Sequence, residues 1–277
     1  MARIDPMQHA TGVVESTHQN QGGTRNEGPP PPVQARPQTV SLPFTIRLAR
    51  TTDQLQRAVN LRSTAYARRL PSLAKILAQA ETEDQYRDSI ILLAESKETL
   101  APVGTLRIQS NFYRQTEFEK ELFLPKKFYG QSITHVSRLS ITGGRSGAQV
   151  KLALFKALYR YCLATQIEWI MATGIPPRDR DYVNLQFEDV YNDGTLVTLP
   201  SSRGIPARLL AFNVRTAEQR WRESKHPLYD FMCCHIHEDI RIFDSVSGAW
   251  ANRRTNPRKG GDSDGGRSPL NFGVPVI

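Results

Sequence analysis

A glycine-rich turn carries the clearest chemical signal in this sequence. Gly143, Gly144, Arg145, Ser146, Gly147 and Ala148 follow an alternating segment and lead into an amphipathic one. A glycine turn at the start of a helix exposes backbone N–H groups beside the positive end of the helix dipole, which suits a phosphate, and Arg145 adds a charge partner. The spacing matches neither G-x-G-x-x-G nor a Walker loop. Taken alone, the turn is equally compatible with a flexible connection.

A second group of residues that could take part in a reaction consists of charged side chains on or beside predicted helices and strands. Arg62 shares one predicted helix face with Leu55, Val59 and Tyr66. An inward arginine needs a carboxylate or phosphate, unless its head reaches solvent. An acidic cluster follows, at Glu81, Glu83, Asp84 and Asp88. Two further arginines lie on alternating segments, Arg107 and Arg138.

The run Cys233-Cys234-His235-Ile236-His237 is not expected to bind a metal. Its four potential ligands lie too close together in the chain to reach one tetrahedral ion, and the sequence has no second pair such as C-x-x-C. The three cysteines, of which Cys162 lies on an apolar helix face, do not form a disulfide framework. A reducing, cytoplasmic compartment is therefore expected.

Composition and charge limit the classes of protein to which this chain can belong. The chain has 277 residues, 36 Lys+Arg against 27 Asp+Glu, and a formal net charge of +9. No apolar run is long enough to span a bilayer, and no secretory signal is expected. Basic and acidic residues are interleaved, which does not favour nucleic-acid binding. Residues 1–43 and 251–277, rich in proline, glycine and polar residues, are expected to be disordered arms around one domain at 44–250.

Hydrophobic periodicity predicts a mixed α/β domain with helices on both faces of its sheet. The predicted strands are 44–50, a hairpin from 89 to 110, 132–142, 167–172, 195–199 and 207–214. The predicted helices are one that begins near 53, followed by 117–128, 148–162, 178–190, 216–223 and 228–234. The strand, glycine turn, helix and strand between 132 and 172 form a β-α-β unit, which implies parallel pairing there. In the strand 132–142, simple alternation places Ser137 and Arg138 on opposite faces.

Two of these segments resemble the GNAT acyltransferase superfamily. The turn at 143–148 is similar to its pantetheine-phosphate loop, usually R/Q-x-x-G-x-G/A, and residues 182–187 (YVNLQF) are similar to its Y-x-x-L-G-F segment, with Gln186 in place of glycine. The resemblance implies a GNAT-like fold. It also implies that Tyr182 protonates the leaving thiolate.

The rest of the core resembles a narrower group. The order of Leu61-Arg62-x-x-x-Tyr66, the acidic cluster, Gly104-Thr105-Leu106-Arg107 and Ser137-Arg138-Leu139 is similar to that in acyl-homoserine-lactone synthases. Residues 137–141, 153–162, 179–182, 205–212 and 226–232 are similar to segments of N-acyl amino acid synthases of the FeeM type. His135 stands where the lactone synthases usually carry glutamate, which argues against a lactone product.

The resemblance implies transfer of a long-chain fatty acyl group from the phosphopantetheine thioester of acyl carrier protein to the amine of a free amino acid. It implies no permanently bound cofactor and no covalent enzyme intermediate. The amine attacks in its neutral form, so a base is required, and Glu83, Asp84, Asp88 and His135 all remain open for this role. Among the substrate-binding residues Arg62, Tyr66, Arg107 and Arg138, some arginines are expected to pair with the acids while another binds the acceptor carboxylate. That all three arginines are structural stays open.

Partners and alternatives follow from the same reading. Acyl carrier protein is acidic, and Lys126, Lys127, Arg145 and Lys151 are the expected docking cations. An apolar tunnel for the acyl chain is expected along Phe155, Leu158 and Trp169. Membrane contact is expected to be at most peripheral, through the lipid product. The alternatives are an acyl-homoserine-lactone synthase and a non-catalytic GNAT-like module that binds acyl carrier protein.

Overall fold

The computed structural model describes residues 38–68, 70–144 and 146–243. The strands are β1 Phe44–Leu48, β2 Ser89–Ser96, β3 Pro102–Ser110, β4 Ile133–Ile141, β5 Trp169–Gly174, β6 Glu188–Asp189, β7 Leu196–Val197 and β8 Ala207–Asn213. The helices are α1 Thr52–Ala67, α2 Pro71–Ile76, α3 Glu117–Glu121, α4 Gly147–Ala164, α5 Asp179–Val183 and α6 Val214–Glu223. Short 3₁₀ turns occupy Thr82–Gln85, Lys126–Phe128 and Pro200–Ser202, and a π-turn occupies Asp230–Cys234.

The strands of the described residues form one mixed sheet. Its order is β1-β2-β3-β4-β5-β8-β6, and β7 also pairs with β8. The pairing is antiparallel except between β4 and β5, which are parallel. The predicted β-α-β unit is therefore confirmed, with α4 as its crossover.

Helices cover both faces of the sheet, as the sequence predicts. On one face α4 packs over β1 to β4 and α6 packs beside it, around the main core that includes Leu106, Ile108, Leu154 and Trp221. On the other face α1 packs against β2, β3 and β4. Because side chains alternate along a strand, Arg107 lies on the α1 face, between two residues of the main core.

Close packing of α4 on β3 depends on Gly104. A Cβ built at Gly104 lies 2.4 Å from Val150 Cγ1 and 3.0 Å from Leu154 Cδ1. Gly104→Ala is therefore expected to lower the free energy of unfolding by about 1–3 kcal/mol, measured by urea denaturation. The double variant with Val150→Ala should be less destabilised than the sum of the two single variants, because Val150→Ala removes the clashing methyl group. A purely additive double variant would contradict the proposed contact.

A β-bulge in β4 changes one predicted face. Thr105 pairs with Ser140 but Arg107 pairs with Ser137, so the register shifts between them, and Arg138 has a left-handed φ of 57°. A bulge breaks strict alternation. As a result the side chains of Ser137 and Arg138 both contact charged residues on the α1 face of the sheet. The prediction that they lie on opposite faces is therefore wrong.

Three predicted elements are shorter than expected. The predicted helix 178–190 is only α5, because the chain turns at Asn184 and Gln186, which has φ 66°, before β6. Gln186 thus adopts the conformation that glycine favours at this point of the similar sequences. The predicted strand 195–199 is reduced to β7, and the helix expected in 117–128 splits into α3 and a 3₁₀ turn.

Residues 38–43, which the sequence analysis assigns to the N-terminal arm, pack against the domain. Thr39 forms a bridge with Ile236, and Leu42 is buried in the main core. The remainder of the predicted arm, the predicted C-terminal tail and the boundary at residue 250 lie outside the described residues. In the described part of the chain, no helix combines the length and apolar character needed to cross a bilayer.

Candidate active site

The strands β4 and β5 separate halfway along their length. Their pairing runs from Ile133 with Trp169 to Val136 with Ala172 and ends there. Beyond that point β4 stays paired with β3 as far as Ile141, and β5 stays paired with β8 as far as Gly174. Each strand therefore follows its outer neighbour, and an opening is left between them on the side where α4 begins.

The glycine turn lies at this opening. Gly143, Gly144, Ser146 and Ala148 are exposed, whereas Gly147, the first residue of α4, is buried. The amides of Ala148 and Gln149 belong to the first helical turn, where an α-helix offers its amides no internal acceptor. Both residues are exposed, which makes their amides candidate donors to a ligand. Arg145 lies outside the described residues.

An arginine from α1 lies against the turn, and the sequence analysis missed it. A Cβ built at Gly143 would lie 2.9 Å from Nη1 of Arg68, the residue that ends α1. Glycine at this position therefore lets a guanidinium approach the backbone of the turn. No local pattern links the end of α1 with the turn, so sequence reasoning had no signal for this pair.

Tyr182 packs beside the same opening, on α5. Its ring makes edge contacts with Phe155 and Phe187, at centroid distances of 5.6 and 5.3 Å. Burial raises the pKa of the Tyr182 phenol, and nearby Tyr66 and Asp181 raise it further. The phenol is therefore protonated throughout the physiological range and available as a proton donor.

Three buried arginines and two carboxylates form a network on the α1 face. Arg62 Nη1 donates to both oxygens of Asp84 at 2.8 Å. Arg107 Nη1 donates to Glu81 Oε2 at 3.0 Å and to Asp84 Oδ1 at 3.3 Å. Arg138 donates to both oxygens of Glu81, at 2.7 and 2.6 Å. The network joins α1, β3 and β4 through the turn at Thr82–Gln85.

The network holds both carboxylates ionised. Burial alone would raise the pKa of Glu81 and Asp84, but the hydrogen bonds and charges of the arginines outweigh it and lower both values. Burial alone would lower the pKa of Arg138, but Glu81 raises it instead. Carboxylates held in this way are weak bases, so Asp84 is suited to positioning rather than to accepting a proton. Glu81, which the sequence analysis did not select, is the centre of the network.

His135 is not suited to act as a base. Its ring is buried beneath Phe118, at a centroid distance of 4.1 Å. Burial, with the charges of Arg107 and Arg138, lowers its pKa to about 3. The imidazole is therefore neutral at physiological pH and binds a proton too weakly to take one from an ammonium group.

The remaining predicted acids lie in different surroundings. Asp88 is buried and pairs with Arg114 at 3.2 Å, apart from the arginine network. Glu83 is half-buried and lines a cavity of about 490 Å³. Among the described residues Glu83 makes no ion pair. Of the predicted bases, Glu83 is therefore the one with a free carboxylate at a cavity.

This cavity lies beside the network. Its wall includes Glu81 and Arg138 from the network, Leu73 and Ile76 from α2, and the turn at Pro200–Arg203. Arg138 Nη2 also contacts the Ser201 carbonyl oxygen at 3.3 Å, so Arg138 ties this turn to β4. Because Arg138 lies on β4 past the end of its pairing with β5, the cavity and the opening share a wall.

The structure does not bring together the residues predicted to line an acyl tunnel, nor those predicted as docking cations. Phe155 and Leu158 belong to the main core under α4, whereas Trp169 packs with Phe128 on the opposite face of the sheet, so these three side chains do not line one tunnel. Lys151 pairs with Asp181 at 2.9 Å near the start of α4. Lys126 and Lys127 lie on a separate 3₁₀ turn, with Lys127 over the ring of Phe128.

Comparison with known proteins identifies the fold. No protein-family model matches the chain, and no curated protein sequence matches it significantly. Among solved structures it is similar to FeeM, an N-acyl amino acid synthase from uncultured soil microbes, with a TM-score of 0.52, 17% identity, and coverage of 68% of this chain and 98% of that one. BjaI, a CoA-dependent acyl-homoserine lactone synthase, has a TM-score of 0.48 and 17% identity, covering 75% of this chain and 99% of that one. The expected GNAT-like fold is thereby confirmed, and the chain shares it with the N-acyl amino acid synthase FeeM.

Proposed function

We propose that this protein is an N-acyltransferase that moves a long-chain fatty acyl group from the pantetheine thioester of acyl carrier protein to the amine of an amino acid. The observation that carries the proposal is the opening between β4 and β5. It has exposed helix-start amides at its mouth, a protonated tyrosine beside it and a charged cavity that shares its wall. FeeM, described as an N-acyl amino acid synthase, has the same fold.

The donor's phosphate is assigned to the start of α4. The first-turn amides of Ala148 and Gln149 and the guanidinium of Arg68 supply the donors and the charge that a phosphodiester needs. The pantetheine arm then runs into the opening, which brings the thioester towards Tyr182. Acyl carrier protein and the long chain are inferred from the sequence resemblance.

The acceptor is assigned to the cavity lined by Glu83. The neutral amine attacks the thioester carbonyl carbon, a C–N bond forms, and the C–S bond breaks as the tetrahedral intermediate collapses. The attacking nitrogen becomes cationic in that intermediate and therefore far more acidic than a free ammonium group. Glu83 accepts its proton, directly or through a water, and the Tyr182 hydroxyl gives a proton to the departing thiolate. Direct attack needs no enzyme nucleophile, and the Cys162 thiol is unsuited to that role because burial raises its pKa.

The proposed function is tested by overexpressing the chain in a bacterial host and analysing the lipid extract by mass spectrometry. N-acyl amino acids, absent from a host that carries the empty vector, are the expected result. They also reveal the acceptor and the chain length. The absence of any acylated amine, or acyl-homoserine lactone formed only when S-adenosylmethionine is supplied to the purified protein, would overturn the proposal.

Gly147→Asp tests the phosphate assignment. The variant places a carboxylate at the first residue of α4, where it repels the donor's phosphate, and kcat/KM for the acyl carrier donor should fall about 10–100-fold. A Cβ at Gly147 would lie 3.2 Å from the Thr142 carbonyl oxygen, so the added atom itself strains the turn. Gly147→Asn, nearly the same size but uncharged, is the matched control. Equal losses in the two variants would contradict the electrostatic explanation.

A further inference from the structure

The three arginines that the sequence offers for binding the acceptor are already paired with carboxylates. The guanidinium groups of Arg62 and Arg107 are almost fully buried against Asp84 and Glu81, with 1% of each side chain exposed. Arg138 binds both oxygens of Glu81 and the Ser201 carbonyl. An acceptor carboxylate therefore has to displace a buried pair or find another cation.

The cavity provides another cation. Its charged lining residues are Glu81, Glu83, Arg138 and Arg203. Glu81 and Arg138 pair with each other, which leaves Glu83 and Arg203 as the charged lining residues without an ion pair in the described part of the chain. Arg203 is exposed and, among the described residues, makes no ion pair. The cavity thus presents one unpaired anion and one unpaired cation, which matches the charges of a free amino acid.

The backbone that carries Arg203 is held in place. The turn Pro200–Ser202 ends at Arg203 in a left-handed conformation, with φ 55° and ψ 40°. The Ser202 hydroxyl donates to the Leu199 carbonyl oxygen at 2.9 Å, and the Ser201 amide donates to Glu117 Oε1 at 2.8 Å. Glu117 belongs to α3, so the turn is fastened both to α3 and, through Arg138, to β4. The backbone at Arg203 is therefore already ordered, so binding has to order only the side chain.

We propose that Arg203 binds the α-carboxylate of the acceptor, so that the enzyme selects a free amino acid over amines without a carboxylate. The inference rests on the proposed function and names the residue that sets its acceptor class. A guanidinium binds a carboxylate through two parallel N–H···O bonds, which fixes the acceptor's orientation as well as its charge. The amine, bonded to the same carbon as the carboxylate, then stays inside the cavity that Glu83 lines.

The experiment compares an amino acid with its own carboxamide, which keeps the amine and side chain but lacks the negative charge. The amino acid is the one recovered in the lipid product of the host. The wild-type protein is expected to prefer the acid over the amide by about 10–100-fold in kcat/KM. Arg203→Gln should lose most of this preference, with the value for the amide unchanged within about threefold. Arg203→Lys should recover it in part.

Arg215→Gln is the matched control, because Arg215 is an exposed arginine on α6 that pairs with Glu168. It should keep the wild-type preference. If Arg203→Gln also keeps it, or if the wild-type protein shows no preference, the role of Arg203 is overturned while the acyltransferase remains. If the wild-type protein acylates no amine at all, the proposed function fails, and the inference fails with it.

Discussion

Replacing Tyr182 with phenylalanine is expected to lower kcat by about a hundredfold or more, with little change in KM for either substrate. The leaving thiolate needs a proton as the C–S bond breaks. The Tyr182 phenol lies beside the opening and stays protonated because burial raises its pKa. Phenylalanine keeps the ring contacts with Phe155 and Phe187 and removes only the hydroxyl. Steady-state kinetics with a purified acyl thioester donor measure the effect.

A change of leaving group distinguishes a proton-donor role of Tyr182 from a structural role. A donor whose leaving thiol is strongly acidic, such as an aromatic thiol, departs without protonation and should be used almost equally well by the wild-type protein and Tyr182→Phe. A variant that is damaged structurally would lose activity on both donors to the same extent. If Tyr182 is the proton donor, its deprotonation should not lower the wild-type kcat as pH rises from 6 to 9, because its raised pKa keeps the phenol protonated. An unchanged kcat in the variant would exclude Tyr182 as the acid.

Elements with strong local signals were predictable from the sequence. Thr51-Thr52, just before Asp53, has the composition of a helix N-cap, and the Thr51 hydroxyl accepts a hydrogen bond from the Gln54 amide at 3.2 Å. The alternation in β4, the glycine turn and the apolar stripe of α4 sufficed to place the β-α-β unit and its parallel pair. Each of these signals lies within a few neighbouring residues, which is the range over which helix and strand periodicity acts.

The arrangement of the site depends on contacts that periodicity does not reveal. A period of two residues places Arg138 away from Ser137, whereas the bulge brings both to the face of Arg107. The bulge arises from pairing with β3 and leaves no mark in the local pattern of β4. The approach of Arg68 to Gly143 and the position of Arg203 at the cavity likewise depend on how distant segments pack.

The acidic cluster shows the same limit within a few residues. The sequence identified the cluster but not which carboxylates turn inward. Asp84 Oδ2 accepts a hydrogen bond from the Glu81 amide at 3.0 Å, so the two residues form a capping-box arrangement at the turn. The spacing of three residues between them was a usable signal for Glu81. Glu83, between them, is left to line the cavity.

Asp84→Asn is expected to lower the free energy of unfolding by about 3–5 kcal/mol. Asp84 is fully buried and binds Arg62 and Arg107, and of the Arg62 side chain only 1% is exposed. Asparagine has nearly the same shape, but it removes the charge that compensates two buried guanidinium groups and places an N–H donor against them. Urea denaturation of the purified protein, followed by circular dichroism, measures the loss.

Glu218→Gln is the matched control, because it removes a carboxylate from an exposed pair with Arg222 on α6 and should cost far less stability. The pH dependence provides a second test. Since the pKa of Asp84 is lowered by folding, its stabilising contribution is complete above the pKa of the unfolded chain and is lost as pH falls through the lower, folded-state value. The difference in stability between the wild-type protein and Asp84→Asn should therefore be constant near neutral pH and shrink in acid. A difference below 1 kcal/mol at neutral pH would show that the arginines find other partners, and that the network does not hold the α1 face together.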